Sequence, residues 1–329
     1  MKRRTLLATL GASPVALAAM HQPILAQEST PTASPGATPA SAHDRSQAAL
    51  HVRVMTFNIW IGGEQVDFAN VIAAIRAAGA DIVGMQEAEG NLRRLADGLG
   101  WAYANPRLQV ISRYPIIDSP GANGDYVLIQ LAPGQVLGVT NVHLPSDPYG
   151  TYAFRDGATA DEVMTLEMET RVPMLRTKLE AIAPLQERGI PFVLTGDFNS
   201  PSHLDWTGAM GTIGGIERQE FAWPATTLAV ASGFQDTYRT IHPDPVQAVG
   251  YTWPAGYPAP FTRPDEIFER IDYVWASQDI AVVASDIVGE AHGADVAITV
   301  NPFPSDHRAV VAELAVTPAT PPVFVSPEH

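Results

Sequence analysis

The chain has 329 residues, of which 46% are hydrophobic and 17% charged, and this composition supports one globular domain with a substantial core. Its formal net charge of -15 disfavours a surface that holds DNA or RNA, because such proteins usually gather Lys and Arg into a patch. The lack of cysteine excludes disulfides, thiolate metal ligands and cysteine nucleophiles.

The first 26 residues have the pattern of an export signal. Arg3 and Arg4 precede an apolar run from Leu6 to Ala19. The paired arginines are compatible with the twin-arginine route, which carries folded cargo, and equally with an ordinary secretory signal, and the sequence leaves both alternatives open. The run is shorter than the roughly 20 apolar residues of a membrane-spanning helix. We therefore expect an exported protein, in the periplasm, at the cell surface or secreted, with no integral membrane span in its mature form.

Both ends of the remaining chain have the composition of unstructured segments. Residues 27–50 are rich in Ser, Thr, Pro and Ala, with almost nothing to bury, which predicts a disordered linker. Residues 317–329 form a Pro-rich tail of similar character. The folded domain is therefore predicted over residues 51–316, and we expect it to be a monomer.

Within that domain, short apolar runs alternate with helical patterns and hairpins. HVRVMTFNIW and DIVGMQE are typical of strands, and apolar residues recur at helical spacing between them. VLIQLAPGQVLGVTNVHL predicts two strands joined by a Pro-Gly turn. A polar excursion over residues 145–170 precedes a helix with Leu175, Leu179 and Ile182, and the strand FVLTGD follows. With the later strand-like runs RIDYVW, AVVASDIVG and AVVAELAV, the mixture predicts two sheets packed face to face with helices outside.

Polar side chains stand at the ends of the predicted strands, flanked by apolar residues that would hold each strand in a core. A single carboxylate in such a place is more often a turn or cap residue. Acids, amides and histidines at many strand ends are hard to explain as separate caps, and we expect them to converge at one edge of the sandwich. The set is Asn58, Glu87, His143, Asp197, Asn199, Asp272, Asp306 and His307.

These motifs resemble the endonuclease/exonuclease/phosphatase superfamily, which includes deoxyribonuclease I, apurinic endonucleases, inositol-polyphosphate 5-phosphatases and bacterial sphingomyelinases. The resemblance runs in order through MTFNIW, GMQE, SRYPI, NVHL, GDFNSP, RIDYVW and SDHRAV, and it covers nearly the whole predicted domain. GDFN at residues 196–199 followed by SDH at residues 305–307 is a specific signature. The resemblance implies a four-layered α/β sandwich of two mainly antiparallel sheets with helices outside, as in deoxyribonuclease I.

The resemblance also implies a metal site. Phosphoester cleavage depends on charge neutralisation, water activation and in-line positioning, since the attacking oxygen meets a shell of negative charge. Asn58, Glu87 and Asp306 match the family's metal-binding positions. Their oxygen ligands suit Mg²⁺ or Mn²⁺ better than Zn²⁺, and Ca²⁺ is a further option.

The remaining strand-end residues match the family's catalytic positions. By resemblance, Asp272 orients His307 and raises its basicity. Asp197 and Asn199 position the attacking water, and His143 donates to the phosphate or to the leaving group. Either the histidine or the aspartate serves as the general base, and the sequence leaves both alternatives open.

The substrate class depends on the loops, because the superfamily shares its fold and machinery among nucleases, lipid phosphodiesterases and phosphatases. The net charge and the acidic insertion over residues 145–171 argue against a long nucleic acid without excluding it. Tyr149, Tyr152 and Arg155 offer a stacking surface and an anion contact, and Trp253 offers a further aromatic ring. A loop packed on its own aromatics, or a core tryptophan, is the structural alternative.

We therefore expect an exported, metal-dependent hydrolase of phosphoric esters. Its substrate would be a small or lipid-derived phosphodiester or phosphomonoester, cleaved by in-line attack of water. An extracellular endonuclease or exonuclease is the first alternative. A binding module without catalysis is the more distant one.

Overall fold

The computed structural model describes residues 48–213, 216–256 and 265–319. The predicted export signal, nearly all of the predicted linker and most of the predicted tail lie outside these described residues. No helix among the described residues combines the length and apolarity needed to cross a membrane.

Strands and helices alternate along the described part of the chain. The strands are β1 (Leu50–Asn58), β2 (Ile82–Gln86), β3 (Tyr103–Asn105), β4 (Val110–Ser112), β5 (Ile116–Ile117), β6 (Val127–Ala132), β7 (Gln135–His143), β8 (Phe192–Asp197), β9 (Thr212–Ile213), β10 (Ile216–Glu217), β11 (Phe234–Asp236), β12 (Asp272–Ser277), β13 (Ala281–Gly289), β14 (Val296–Thr299) and β15 (Ala309–Val316). The α-helices are α1 (Phe68–Ala77), α2 (Leu92–Leu99), α3 (Gly150–Arg155), α4 (Ala160–Thr170), α5 (Val172–Gln186), α6 (Pro224–Ala231) and α7 (Thr237–Ile241), with short 3₁₀ helices at Ile61–Gly63 and Pro120–Ala122.

The strands form two large mixed sheets and a small ribbon of β9 and β10. The seven-stranded sheet has the order β14-β13-β15-β1-β2-β4-β3, in which β1 and β2 are parallel, as are β13 and β14. The six-stranded sheet has the order β11-β12-β8-β7-β6-β5, in which β7 and β8 are parallel. The other pairs are antiparallel, so each sheet is mainly antiparallel.

Three apolar layers hold the sandwich together. Val54 and Val110 of the seven-stranded sheet pack against Val139 and Val193 of the six-stranded sheet in the central layer. Helices α1 and α2 cover the outer face of the first sheet, and α5 and α6 cover that of the second. This arrangement confirms the predicted four-layered α/β sandwich.

Single strands and helices were predicted correctly from the sequence where the segment is apolar, and a helix was missed where it is polar. The predicted hairpin is confirmed, since β6 and β7 pair antiparallel across a turn that contains Gly134 at φ 71°. The segment in which the sequence showed only a polar excursion contains α3 and α4. Thr159 and Glu162 form a capping box that begins α4, and the buried face of this helix includes Glu167. Because one of its buried residues is charged, the helix lacks the apolar periodicity by which helices are recognised.

A polar layer links the two sheets around Gly84, where they approach each other closely. Thr195 Oγ1 donates to Asn141 Oδ1 at 2.9 Å, and Gln86 Nε2 donates to the same oxygen at 2.8 Å. A Cβ atom added at Gly84 would lie 2.0 Å from Thr195 Oγ1 and 2.5 Å from Asn141 Oδ1. The missing side chain of Gly84 therefore leaves the room in which this network crosses between the sheets.

We expect Gly84→Ala to lower the free energy of unfolding by at least about 2 kcal/mol, because the added methyl group forces the side chains of Thr195 and Asn141 apart. Urea denaturation followed by circular dichroism measures the change. Gly121→Ala is the matched control, since its Cβ would meet no described heavy atom within 4 Å. Its effect should stay within about 0.5 kcal/mol. Equal stability of Gly84→Ala and the unsubstituted protein would contradict the close approach.

Candidate active site

Strand register brings the predicted polar residues to one edge of the sandwich. In the parallel pair β1 and β2, Asn58 lies opposite Gln86, so the residue after β2 emerges beside Asn58. In the parallel pair β7 and β8, His143 lies opposite Asp197. Strand β12 runs antiparallel to β8, which places its first residue, Asp272, opposite Asp197 as well. Two strands of one sheet and three of the other therefore deliver their polar ends to the same place.

Asn58 joins the two sheets at this edge. Its Nδ2 donates to Asp197 Oδ2 at 3.0 Å and to Glu87 Oε1 at 3.2 Å, while its Oδ1 accepts from the backbone N–H of Trp60 at 3.1 Å. Both ends of the amide are thus engaged within the protein. Asn58 connects a carboxylate of the seven-stranded side with one of the six-stranded side.

Asp272, His307 and Asp197 form a buried cluster in which one atom from each lies within 4.8 Å of the others. His307 Nδ1 lies 3.0 Å from Asp272 Oδ2, and His307 Nε2 lies 3.7 Å from Asp197 Oδ2. Burial lowers the pKa of His307, but the charges of Asp272 and Asp197 outweigh this effect and raise it to about 10. Burial raises the pKa of Asp272, and the charge of His307 opposes that rise. The carboxylate at Nδ1 sets the orientation of the imidazole ring.

His143 and Asn199 lie on either side of Asp197. His143 Nε2 is 3.6 Å from Asp197 Oδ2 and 4.0 Å from Glu87 Oε1, and its side chain is 38% exposed. Asn199 donates its backbone N–H to Asp197 Oδ1 at 2.8 Å and its Nδ2 to the carbonyl of Leu144 at 3.0 Å. His143 is therefore open to a ligand, whereas the amide nitrogen of Asn199 is held by the loop after β7.

Glu87 and Asp306 are the two carboxylates of the predicted metal site. Asp306 Oδ1 is buried and accepts no hydrogen bond from the described residues. Burial raises the pKa of Asp306, the nearby charge of Glu87 raises it further, and His307 and a hydrogen bond from Trp253 oppose the shift. Glu87 Oε2 accepts from the backbone N–H of Ile61 at 2.8 Å. Two neighbouring carboxylates that repel each other, one with an unpartnered oxygen, suit a hard divalent cation.

The four predicted substrate residues lie together as a packed wall on the His307 side of the site. The ring of Tyr149 is 8% exposed and contacts Tyr152 and Trp253 edge to face, with centroids 4.9 and 6.2 Å apart. Trp253 lies 6.2 Å from the ring of His307. Arg155 stacks over Tyr152 and forms ion pairs with two aspartates. Among the four residues, Trp253 is thus the one next to His307. The role of the four residues in substrate binding stays a prediction.

Sequence reasoning missed a buried ion pair that supports the site loops. Glu167 Oε1 accepts from Arg171 Nη1 at 2.9 Å, and both side chains are fully buried. Glu167 Oε2 accepts from Ser200 Oγ at 3.0 Å, and Arg171 donates to two carbonyls of the loop after β7. The pair therefore ties the loop after His143 to the loop after Asp197. A Glu and an Arg four residues apart were the available signal, but such pairs are usually exposed.

Thr252 is a second supporting residue that the motifs did not reveal. Its Oγ1 accepts from the backbone N–H groups of Ile271 and Asp272 at 2.9 and 3.1 Å. Its carbonyl accepts from the N–H of Arg308 at 2.7 Å. Thr252 thus holds the start of β12 against the segment that carries His307. Its position next to Trp253 in GYTWP was the only clue in the sequence.

The ionisation of Glu167 is expected to make stability depend on pH. Burial raises its pKa to about 7, although Arg171, Ser200 and the N–H of Gly150 oppose the rise. The unfolded chain releases this proton at a lower pH, near 4.5. Ionisation therefore removes stability as the pH rises from about 4.5 to about 7. The free energy of unfolding of the unsubstituted protein, minus that of Glu167→Gln, should fall as the pH rises across this interval and stay constant above it.

Urea denaturation at pH values from about 4 to about 8 measures this difference. Glu169→Gln, an exposed position on the same helix, is the control and should show a difference that does not change with pH. A pH-independent difference for Glu167→Gln would mean that Glu167 has the same pKa in the folded and the unfolded chain.

Residues 55–307 match the model of the Endonuclease/Exonuclease/phosphatase family. The chain therefore belongs to this family, whose members are generally hydrolases of phosphoester bonds and generally depend on divalent metal ions. The resemblance identified from the motifs is confirmed.

Individual relatives agree with this assignment. The uncharacterized protein F14F9.5 of Caenorhabditis elegans is 31% identical over 228 residues, which cover 61% of this chain and 70% of the relative. The crystal structure of an endonuclease/exonuclease/phosphatase from Beutenbergia cavernae DSM 12333 gives a TM-score of 0.52 at 22% identity and covers 82% of this chain and 72% of that one. D. rerio TDP2, humanized by 14 mutations, gives 0.51 at 14% identity, with 82% and 100% covered. At these identities the two structures show a shared fold.

Proposed function

We propose that this protein is an exported phosphoesterase that uses a divalent metal ion, Mg²⁺ or Mn²⁺, to hydrolyse a small or lipid-derived phosphodiester or phosphomonoester. The convergence of Asp197, Asp272 and His307 within 4.8 Å is the observation that carries the proposal. Phosphoester hydrolysis requires acidic and basic groups close together, and here they lie beside two further carboxylates, Glu87 and Asp306.

The residues around Asp197 would position the attacking water and transfer protons. Asp197 accepts from Asn58 and from the backbone of Asn199, and it lies 3.6 and 3.7 Å from the imidazoles of His143 and His307. It would orient the attacking water. The raised pKa of His307 favours its protonated form, so Asp197 would take the water's proton, and His307 would take it only where a bound cation lowers that pKa. His143, the more exposed imidazole, would donate to the phosphate or to the leaving oxygen.

Charge on the phosphate must also be neutralised. A divalent cation, when bound, supplies this neutralisation, and Glu87 and Asp306 would hold it. The backbone N–H of Ile61 and the amide of Asn58 keep the carboxylate of Glu87 in place for that task.

Charge and sequence support the finer parts of the proposal. The net charge of -15 favours a small substrate over a long nucleic acid. The paired arginines and apolar run of residues 1–26 support export.

Hydrolysis assays test the proposal. We expect the purified protein to cleave bis(p-nitrophenyl) phosphate, p-nitrophenyl phosphate or sphingomyelin in the presence of Mg²⁺, Mn²⁺ or Ca²⁺, and to lose this activity in EDTA. His307→Ala should retain the fold but turn over at least about 100-fold more slowly, since it loses a positioned acid-base group. Near-normal turnover in that variant would overturn the roles assigned here.

The same assay separates the alternatives. Faster cleavage of plasmid DNA than of the small esters would establish a nuclease. No hydrolysis of any ester with any of the three ions would favour a binding module.

Glu87→Gln should raise the metal concentration that gives half-maximal rate by at least about tenfold, because it removes a charged oxygen ligand. Rates measured across a titration of Mg²⁺ and of Mn²⁺ give this concentration. Glu180→Gln, an exposed glutamate on α5, is the control for the change in charge. An unchanged metal titration in Glu87→Gln would exclude Glu87 as a ligand.

A further inference from the structure

A cleft of about 690 Å³ continues from the candidate active site across the mouth of the sandwich. Its lining includes Glu87 and His143 of the candidate active site together with Arg107 and Lys178. Its volume lies in the range of small-molecule sites. The cleft therefore offers room for the part of a phosphoester that lies beyond the scissile phosphate.

Arg107 is a cation in the lining of this cleft, and no described residue pairs with its charge. Its side chain is exposed and forms no ion pair or hydrogen bond with the described residues, although the chain carries an excess of acidic groups. A guanidinium group offers a planar pair of donors that matches a phosphate or a carboxylate. The unused donors of Arg107 therefore suit an anion.

Lys178 adds a second positive charge near Arg107. Its Nζ donates to the carbonyl of Gly124 at 2.8 Å and lies 3.1 Å from Asp125 Oδ1. Gly124 also borders Arg107, since a Cβ added there would lie 3.4 Å from Arg107 Cβ. Both cations thus lie around Gly124. Asp125 balances the charge of Lys178 and leaves that of Arg107 free.

The lining of the cleft carries charges of both signs. It includes Glu87, which belongs to the proposed metal site, and Glu89, as well as the two cations Arg107 and Lys178. A substrate with one phosphate at the metal site and a neutral remainder would leave Arg107 without a partner. A substrate with a second anionic group could engage Arg107 as well.

We propose that Arg107, assisted by Lys178, binds a second anionic group on the alcohol part of the substrate. The preferred substrates are then small phosphoesters that carry a further phosphate or carboxylate. This inference rests on the proposed function, since it assigns the substrate class of the same site. The cleft's limited volume and the chain's negative charge favour a small molecule over a neighbouring phosphate of a nucleic-acid strand.

Binding measured by isothermal titration calorimetry tests this without relying on turnover. The full-length protein is titrated with fructose 1,6-bisphosphate, with fructose 6-phosphate, with 3-phosphoglycerate and with a short single-stranded oligonucleotide. We expect the bisphosphate to bind more tightly than the monophosphate, and Arg107→Gln to reduce this preference by about tenfold. 3-Phosphoglycerate tells whether a carboxylate serves as well as a phosphate. Arg188→Gln, at an exposed arginine in the turn after α5, is the control and should keep the preference.

Two outcomes would overturn the inference. One is a bisphosphate preference that is absent or unchanged in Arg107→Gln. The other is an Arg107-dependent affinity that is higher for the oligonucleotide, which would assign the subsite to a strand phosphate. An Arg107-dependent preference in a protein that hydrolyses no ester would uphold the anion subsite and refute only the proposed catalysis.

Discussion

The hydrogen bond from Asn58 to Asp197 crosses between the two sheets at the point where the candidate site lies. Each sheet could place its own polar residues correctly and still fail to form a site if the sheets were packed at a different offset. The polar layer around Gly84 sets that offset, because Gln86 of one sheet can donate to Asn141 of the other only where the sheets nearly touch. Since Gln86 directly precedes Glu87 and Thr195 lies two residues before Asp197, the same layer aligns the ends of both strands.

Burying so many acids at one edge is costly, and the surroundings show how the cost is offset. Asp197 is 1% exposed yet accepts two hydrogen bonds and faces two imidazoles. Asp272 is paired with His307, and the carboxylate of Glu167 is satisfied by Arg171 and Ser200. One oxygen of Asp272 and one of Asp306 lack a donor, since Asp272 Oδ1 and Asp306 Oδ1 are buried and no described residue donates to them. An unpaired buried carboxylate oxygen is a group that a bound cation would satisfy.

The accuracy of sequence reasoning followed the strength of the local signal. Strands such as β8 and β12 were recognisable because an apolar run adjoins a polar residue, which ends β8 and begins β12. The spacing of GDFN and SDH identified the family before any contact was known. Helix α4 was not recognised, since its buried face includes the charged Glu167. Thr252 and Arg171 were missed for a related reason. Both act through backbone groups distant in sequence, and such partners leave no periodic pattern.

By itself, the sequence determined the type of fold, the family and the set of polar residues at the strand ends, because these depend on local periodicity and on short motifs. The tertiary structure decided which of those residues face one another, which side chains are already engaged and where free donors remain. Tyr149 and Arg155 are engaged within the loop, whereas Arg107, which belongs to none of the motifs, is free beside the cleft. The physical reason is that burial and pairing depend on contacts between distant segments, and strand register together with sheet packing determines those contacts only in the folded chain.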